Sequence, residues 1–241
     1  MQIFGATDIG TARSSNQDSF VNTVLSSNVV LSVVCDGMGG ANAGNVASGI
    51  ASSVITDYVK RSFVPDMKPS TIKNMLKSAI DTANEEVFEA AERDETLKGM
   101  GTTVVVALVV GDTAHIAHVG DSRAYFVGES AVQLTRDHSM IQSLLESGHL
   151  TAEEALNHPK RNVITRAVGI LQAVESDYTV ATITNGTLIL CTDGVSNAFL
   201  LSDLESIVKS TQIADLPNTL IKIANDSDSG DNVTVTAVAL N

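Results

Sequence analysis

The sequence predicts an α+β fold, and three observations carry that reading. Runs rich in Val, Ile and Thr come in adjacent pairs, as at Thr102–Val110 and Thr113–Val119, which is the pattern of antiparallel pairing. Stretches with helical spacing are also grouped in pairs, which argues against a doubly wound parallel sheet. The most apolar stretch, Val29–Gly40 (VVLSVVCDGMGG), is short, β-branched and closed by a glycine cluster, so it reads as a buried strand.

In chain order, Gln2–Asp8 and Ser19–Leu25 are weak strand candidates around a polar loop, Gly10–Asp18. After the organising strand, Val46, Ile50, Val54, Ile55, Tyr58 and Val59 fall on one face of a helix expected from Asn42 to Arg61. Pro65 and Pro69 interrupt it, and Ser70 is the expected N-cap of a second helix running to about Thr96. Gly111-Asp112 turns Thr102–Val110 into Thr113–Val119, and Ala124–Val127 with Ala131–Leu134 forms another hairpin. Residues 137–170 change character, with short polar helices at Ser139–Glu146 and Ala152–Leu156 and three histidines. Strands return at Tyr178–Thr184 and Thr187–Cys191. Helices near Ser202–Ser210 and Asp215–Asn225 follow, then a final strand, Asn232–Leu240.

At 241 residues the chain can build a full core. A hydrophobic content of 44% with 18% charged residues describes a globular protein. No repeat, low-complexity run or linker divides it, so residues 1–241 are expected to form a single domain. No apolar run is long enough to span a bilayer and the N-terminus carries no signal-like pattern. A soluble, cytoplasmic protein is the expectation. Lys+Arg minus Asp+Glu gives 15 − 28 = −13, a balance that argues against nucleic acid as a partner. Cys35 and Cys191 lack CxxC spacing and read as small core residues.

The organising strand ends in Asp36, a carboxylate that burial would penalise unless a cation or hydrogen bonds compensate it. Asp36-Gly37 is echoed by Asp193-Gly194 after Thr187–Cys191 and by Gly120-Asp121 after Thr113–Val119. Asp231 opens the last strand and Asp18 closes the first polar loop. Five aspartates at strand ends fit a metal site at the rim of a sheet. Hard oxygen ligands without a His/Cys set point to Mg²⁺ or Mn²⁺. Nucleotide-binding readings fail, because a GxGxxG frame from Gly37 ends in Asn42 and no GKS or GKT exists. Gly120–Ala124 misses the GxSxG hydrolase pattern at its last position. A calcium loop from Asp226 has Ala237 at the twelfth position instead of Glu. His115 and His118 differ by an odd number and would face opposite sides of a strand.

The ordered motifs Arg13-x-x-Asn16-Gln17-Asp18, Asp36-Gly37-Met38-Gly39-Gly40, Gly101-Thr102-Thr103, His118-Val119-Gly120-Asp121-Ser122-Arg123, Asp137-His138-Ser139, His158-Pro159, Thr192-Asp193-Gly194 and Asp231-Asn232-Val233-Thr234 go further. Together they resemble the metal-dependent protein phosphatases of type 2C, particularly the small single-domain bacterial ones. The resemblance covers essentially the whole chain. It implies a central antiparallel β-sandwich flanked on both faces by pairs of antiparallel helices, a four-layer αββα arrangement, with a flap near 137–170.

The resemblance also implies roles. Asp36 is similar to a carboxylate bridging two metal ions, with the Gly37 carbonyl on one of them. Asp193 and Asp231 resemble ligands of the other, and Asp18 the acid that holds metal-bound water. Asp121, with Asp193, resembles the pair binding a third metal. Arg13 resembles the residue gripping the substrate phosphate, and His158 and Arg161 are candidates for substrate contact in the flap. The implied activity is hydrolysis of phosphoserine and phosphothreonine monoesters by a metal-activated water, without a phosphoenzyme, with Mn²⁺ or Mg²⁺ about 3.5–4 Å apart. The implied partners are phosphorylated proteins made by a Ser/Thr kinase, met by a monomer without a membrane segment. Met38 departs from the pattern, since some members carry a histidine there that is proposed to protonate the leaving group. A catalytically silent binding module on the same fold is the rival reading, with a small-phosphomonoester hydrolase third. The complete set of aspartates and Arg13 favours the protein phosphatase.

Overall fold

The computed structural model describes residues 1–40, 43–151, 154–155, 158–227 and 230–240. Its strands are β1 (Gln2–Asp8), β2 (Asp18–Ser26), β3 (Val29–Met38), β4 (Gly101–Thr102), β5 (Val104–Val110), β6 (Thr113–Val119), β7 (Arg123–Val127), β8 (Ala131–Gln133), β9 (Asp177–Thr182), β10 (Thr187–Cys191) and β11 (Val233–Ala239). They form two antiparallel sheets, β1-β11-β10-β7-β8 and β2-β3-β5-β6-β9, with the short β4 against the end of β3.

The period-two geometry of a strand sorts the side chains of β3 and β5 into two layers. Val29, Leu31, Val33 and Cys35, with Val104, Val106 and Leu108, face a pair of helices. Val30 and Val34, with Val105, Ala107 and Val109, face the other sheet. Each such side chain, fully buried, contributes about 1.5–3 kcal/mol, and this is why both strands read as continuous apolar runs. Ser32 interrupts the run without a penalty of isolation: its hydroxyl donates to Asn22 Oδ1 at 2.9 Å and lies 2.7 Å from Thr236 Oγ1 across the interface.

The helices over β3 are α1 (Gly44–Ser62) and α2 (Pro69–Arg93). Ala47 and Ala51 let α1 lie close to the sheet, and Ile55 and Val59 complete its buried stripe. Asn42, the expected start of α1, lies outside the described residues. The second helix begins at Pro69 with Lys68 as N-cap, and Ser70 is already inside it. Proline is favoured at the first helical position because its missing N–H and fixed φ cost nothing there. That helix stops at Arg93, where Asp94 accepts from Thr96 N–H at 2.9 Å and opens a separate 3₁₀ turn, Glu95–Leu97. Three further helices are α3 (Met140–Glu146), the single-turn α4 (Asp193–Ser196) and α5 (Leu201–Ser210); α6 (Leu216–Asp226) follows. Leu204, Leu216, Leu220 and Ala224 pack on Ile189, Val233, Val235 and Ala237 of the second sheet. Helix pairs therefore cover both outer faces of the sandwich. No helix among the described residues is long and apolar enough to cross a membrane.

Two expectations change. Neither β1 with β2 nor β9 with β10 forms a hairpin: β1 pairs β11, β2 pairs β3, β9 pairs β6, and β10 lies between β7 and β11. After β9 the chain crosses between sheets, with Ile183 buried in the inter-sheet layer and Asn185 at φ 55°. A polar turn between two apolar runs has the same local chemistry whether the chain reverses within one sheet or crosses to another. The run at Thr102 is also split, because Thr103 N–H donates to Asp36 O at 2.8 Å and leaves the ladder. In the 137–170 segment Ser139 caps α3 by accepting from Gln142 N–H at 3.1 Å. Of the helix expected at Ala152–Leu156, Glu154 and Ala155 are helical, while Ala152, Glu153 and Leu156 lie outside the described residues.

Candidate metal centre

The predicted acids meet where the β2–β3 ladder ends. Asp18 and Asp36 are direct cross-strand partners. The Asp36 backbone is pinned on both sides: its N–H donates to Thr103 Oγ1 (3.0 Å), and its carbonyl accepts from Thr102 Oγ1 (2.9 Å) and Thr103 N–H. The carboxylate is left for the cleft. Gly37 and Met38 extend β3 instead of turning, paired with Thr102 and Gly101. Glycine is required at 37 because a Cβ would run into the carbonyl oxygens of Gly44 and Gln17.

Asp121 follows Gly120, whose φ of +102° turns the chain after β6 and whose position would set a Cβ 2.7 Å from Thr103 Cβ. The Thr103 hydroxyl also lies 2.7 Å from Ser122 Oγ, so one threonine ties the Asp36 and Asp121 turns together. Asp193 begins α4. Asp231 accepts from Arg13 Nη2 at 2.8 Å. Asn232 fastens the loop that carries Arg13: its Oδ1 accepts from Gln17 N–H, and its Nδ2 donates to Ile9 O and Ser15 O.

Arg13, Asp36, Gly37, Asp121, Asp193 and Asp231 line one cleft of about 300 Å³, with Met38, Thr103, Asn162 and Ile164. Asp18 sits behind it and accepts from Thr192 Oγ1 at 3.0 Å. Burial, then repulsion among the acids, raises the pKa of Asp36 and Asp193. Asp121 is pushed to about 7 by the same causes. Burial also lifts Asp18 to about 7, against hydrogen bonds from Thr234 and Thr192. Asp18 Oδ1 and Asp193 Oδ1 are buried with no hydrogen-bond partner among the described residues. Like charges gathered in this way, with orphaned hard oxygens, fit divalent Mg²⁺ or Mn²⁺.

A second cavity of about 470 Å³ joins this cleft through Asn162, Asp193 and Asp231, and reaches Ile141, Gln142, Leu145 and Arg161 of the 137–170 segment. Arg161 thus stands at the site. His158 lines neither cavity; its Nδ1 accepts from Lys160 N–H at 3.2 Å. No histidine is among the described residues lining the cleft beside Met38. Asn162 and Ile164 were not legible as site residues, since a lone Asn or Ile in a polar segment carries no signal. Thr102, Thr103 and Asn232 stood inside noted motifs without a role, because their work is on backbone atoms.

A separate cluster lies on the other side of the Asp121 turn. His118, His138 and Asp177 bring potential ligand atoms within 4.8 Å of one another. The two rings stack, with centroids 4.8 Å apart and 16° between planes. Arg166 Nη1 lies 3.0 Å from Asp177 Oδ1 and 3.2 Å from His138 Nε2. A guanidinium therefore already supplies the positive charge there. His115, three residues before His118, points elsewhere, with Nδ1 2.7 Å from Tyr178 Oη.

The family model described as Protein phosphatase 2C matches residues 10–222. The chain is 37% identical to the serine/threonine phosphatase stp of Listeria monocytogenes serovar 1/2a, over 96% of this chain and 93% of that protein. It is 35% identical to protein phosphatase PhpP of Streptococcus pneumoniae serotype 2, over 100% and 98% of the two chains. The crystal structure of serine/threonine phosphatase Stp1 from Staphylococcus aureus superposes with a TM-score of 0.93 at 33% identity, covering 100% of this chain and 95% of that one. The Mycobacterium tuberculosis phosphatase PstP/Ppp gives 0.87 at 29%, covering 98% and 97%.

Proposed function

The chain belongs to the protein phosphatase 2C family, and from that premise we propose how its own residues carry the reaction. It is a metal-dependent Ser/Thr phosphatase that hydrolyses phosphoserine and phosphothreonine monoesters in phosphoproteins, without a phosphoenzyme. The observation that carries the site assignment is the convergence of Asp36, Asp121, Asp193 and Asp231 on one cleft, with Asp18 behind it and two buried carboxylate oxygens unpaired.

In this reading the carboxylates of Asp36, Asp193 and Asp231 and the Gly37 carbonyl would hold a pair of Mn²⁺ or Mg²⁺ ions. Asp18 would support that pair from behind, and Asp121 with Asp193 would offer a third, weaker position. Bound divalent cations neutralise the phosphate dianion and acidify water at the site. The protein's part is to place the ester. Arg13 keeps one nitrogen on Asp231 and turns the rest of its fork toward phosphate oxygens. Thr103 cannot serve as a nucleophile, because its hydroxyl is engaged by Ser122 and Asp36 N–H. Met38 and Ile164 give the cleft an apolar edge that limits water. Arg161, across the adjoining cavity, supports the peptide beside the phosphoresidue.

The physiological substrates are proteins phosphorylated by a partner Ser/Thr kinase. We read residues 1–241 as one catalytic domain with a flap at about 137–170, acting as a cytoplasmic monomer. The complete acid set disfavours a catalytically silent binding module. The test is hydrolysis of a phosphothreonine peptide with Mn²⁺ or Mg²⁺, then with EDTA, for the protein and for Asp193→Ala. Metal-dependent release that Asp193→Ala abolishes is the expected result. No release with either metal from folded protein overturns the assignment.

A further inference from the structure

The histidine cluster has the composition of a zinc site, but its hydrogen bonds describe something else. Gly120 N–H can only donate, and it points at His138 Nδ1 at 3.1 Å, so Nδ1 carries a lone pair. Burial lowers the His138 pKa, which keeps the ring neutral with its proton on Nε2. That edge faces Asp177 Oδ2 at 3.4 Å, and Arg166 holds the other Asp177 oxygen. His118 Nε2 lies 2.7 Å from Arg136 O, and its ring stacks on His138. Coordination at His138 Nε2 would need that proton removed beside a guanidinium.

The backbone of His138 is tied to the same place. His138 N–H donates to Gly120 O at 2.9 Å, and its carbonyl accepts from Thr165 N–H at 2.7 Å. The next residue, Ser139, bridges Ile164. His138 therefore stands at the neck of the flap, gripping Gly120 from both sides, one residue before Asp121.

We propose that His138 is a positioning residue through which the flap neck sets the Gly120–Asp121 turn, and with it the affinity of the cation held by Asp121. It touches neither substrate nor metal. This rests on the placing of Asp121 at a metal position, and it assigns a control over that position to residues outside the cleft.

Two substitutions separate the ends of the imidazole. In His138→Asn the amide oxygen reaches the Nδ1 position, so the Gly120 N–H keeps an acceptor while Asp177 loses its donor. His138→Gln does the reverse. For both variants and the parent protein, Mn²⁺ binding is measured by titration calorimetry. The Mn²⁺ dependence, kcat and KM are measured on a phosphothreonine peptide. His138→Gln is expected to weaken the weakest Mn²⁺ binding step about tenfold, the scale of a lost outer-shell partner, with KM for peptide unchanged. His138→Asn should stay within about twofold of the parent on the same scale. Equal weakening in both variants, or none in either, overturns the proposal, since a merely structural histidine would not distinguish them. Should His138→Gln not fold, His138→Leu, which removes the Nδ1 acceptor at similar volume, takes its place, with weakened Mn²⁺ binding again expected and unchanged binding overturning the proposal. If the parent protein releases no phosphate, the assigned activity fails, while calorimetry still decides the role of His138.

Discussion

Two clusters of titratable side chains flank the Gly120–Asp121 turn, and they differ in whether they are complete. The histidine cluster closes on itself: Asp177 has Arg166, His138 has Gly120 N–H, and His118 has the Arg136 carbonyl. The aspartate cluster stays open, with Arg13 on Asp231 and buried oxygens of Asp18 and Asp193 unpaired. Ligand type alone would favour the first as a metal site. Hydrogen-bond accounting favours the second, because a buried charge without a partner is the costly state.

The comparison breaks first if the aspartates prove dispensable. Asp36→Ala is expected to lower kcat at least about 1,000-fold, since several kcal/mol of charge stabilisation is lost and each 1.36 kcal/mol is tenfold. His118→Ala should cost no more than about tenfold on the same scale. Steady-state rates on one phosphopeptide decide it.

The next effect has opposite signs in the two clusters. Asp18 and Asp121 sit at about 7 in the folded, metal-free protein, against roughly 3.9 unfolded. A raised acid binds more protons when folded, so its stabilising contribution is complete below about pH 4. That contribution is lost as pH rises through 7. Metal-free protein in EDTA should therefore melt lower at pH 8 than at pH 5, and Mn²⁺ should restore more at pH 8. Asp36→Asn should raise the metal-free melting temperature at pH 8, by about 2–4 °C for each kcal/mol of repulsion removed. In the closed cluster Asp177→Asn should lower it. Calorimetric scans that moved both the same way would remove the distinction.

The smallest effect belongs to Arg13, half exposed and sharing its charge with Asp231. Arg13→Ala should raise KM for phosphopeptide about tenfold, as for one lost hydrogen bond to a charged group, and leave KM nearly unchanged if Arg13 serves only Asp231.

The difference between the clusters also marks what the sequence could express. Asp36, Asp121 and Asp193 each sit beside glycine after an apolar run, so their gathering at one sheet rim was legible in the sequence, whereas Asp18, Asp231 and Arg13 stood out mainly through the ordered motifs around them. The strands were legible too, through the Val-rich alternation of β3 and β5. The crossing from β9 to β10 was not, since Ile183 and Asn185 look the same in a hairpin. Nor was the work of Thr103 or His138, because each acts on the backbone of a residue that only the fold brings near. His158, a candidate for substrate contact through the flap resemblance, lines neither of the two cavities at the site, whereas Arg161 of the same segment does.

The pairing of β1 with β11 has one more consequence. Gln2 lies opposite Ala239 and Asp8 opposite Val233, so Arg13 and Asp231 meet only when strands more than two hundred residues apart in the chain are zipped together. During synthesis the ribosome releases β1 through β10 before β11 exists. The Arg13–Asp231 contact therefore forms only after β11 has been made and has paired with β1. The polar Thr7–Thr234 contact at 2.7 Å lies at the end of that zipper nearest Asp231, so opening this end is expected to part Arg13 from Asp231 while the rest of the sandwich stays paired.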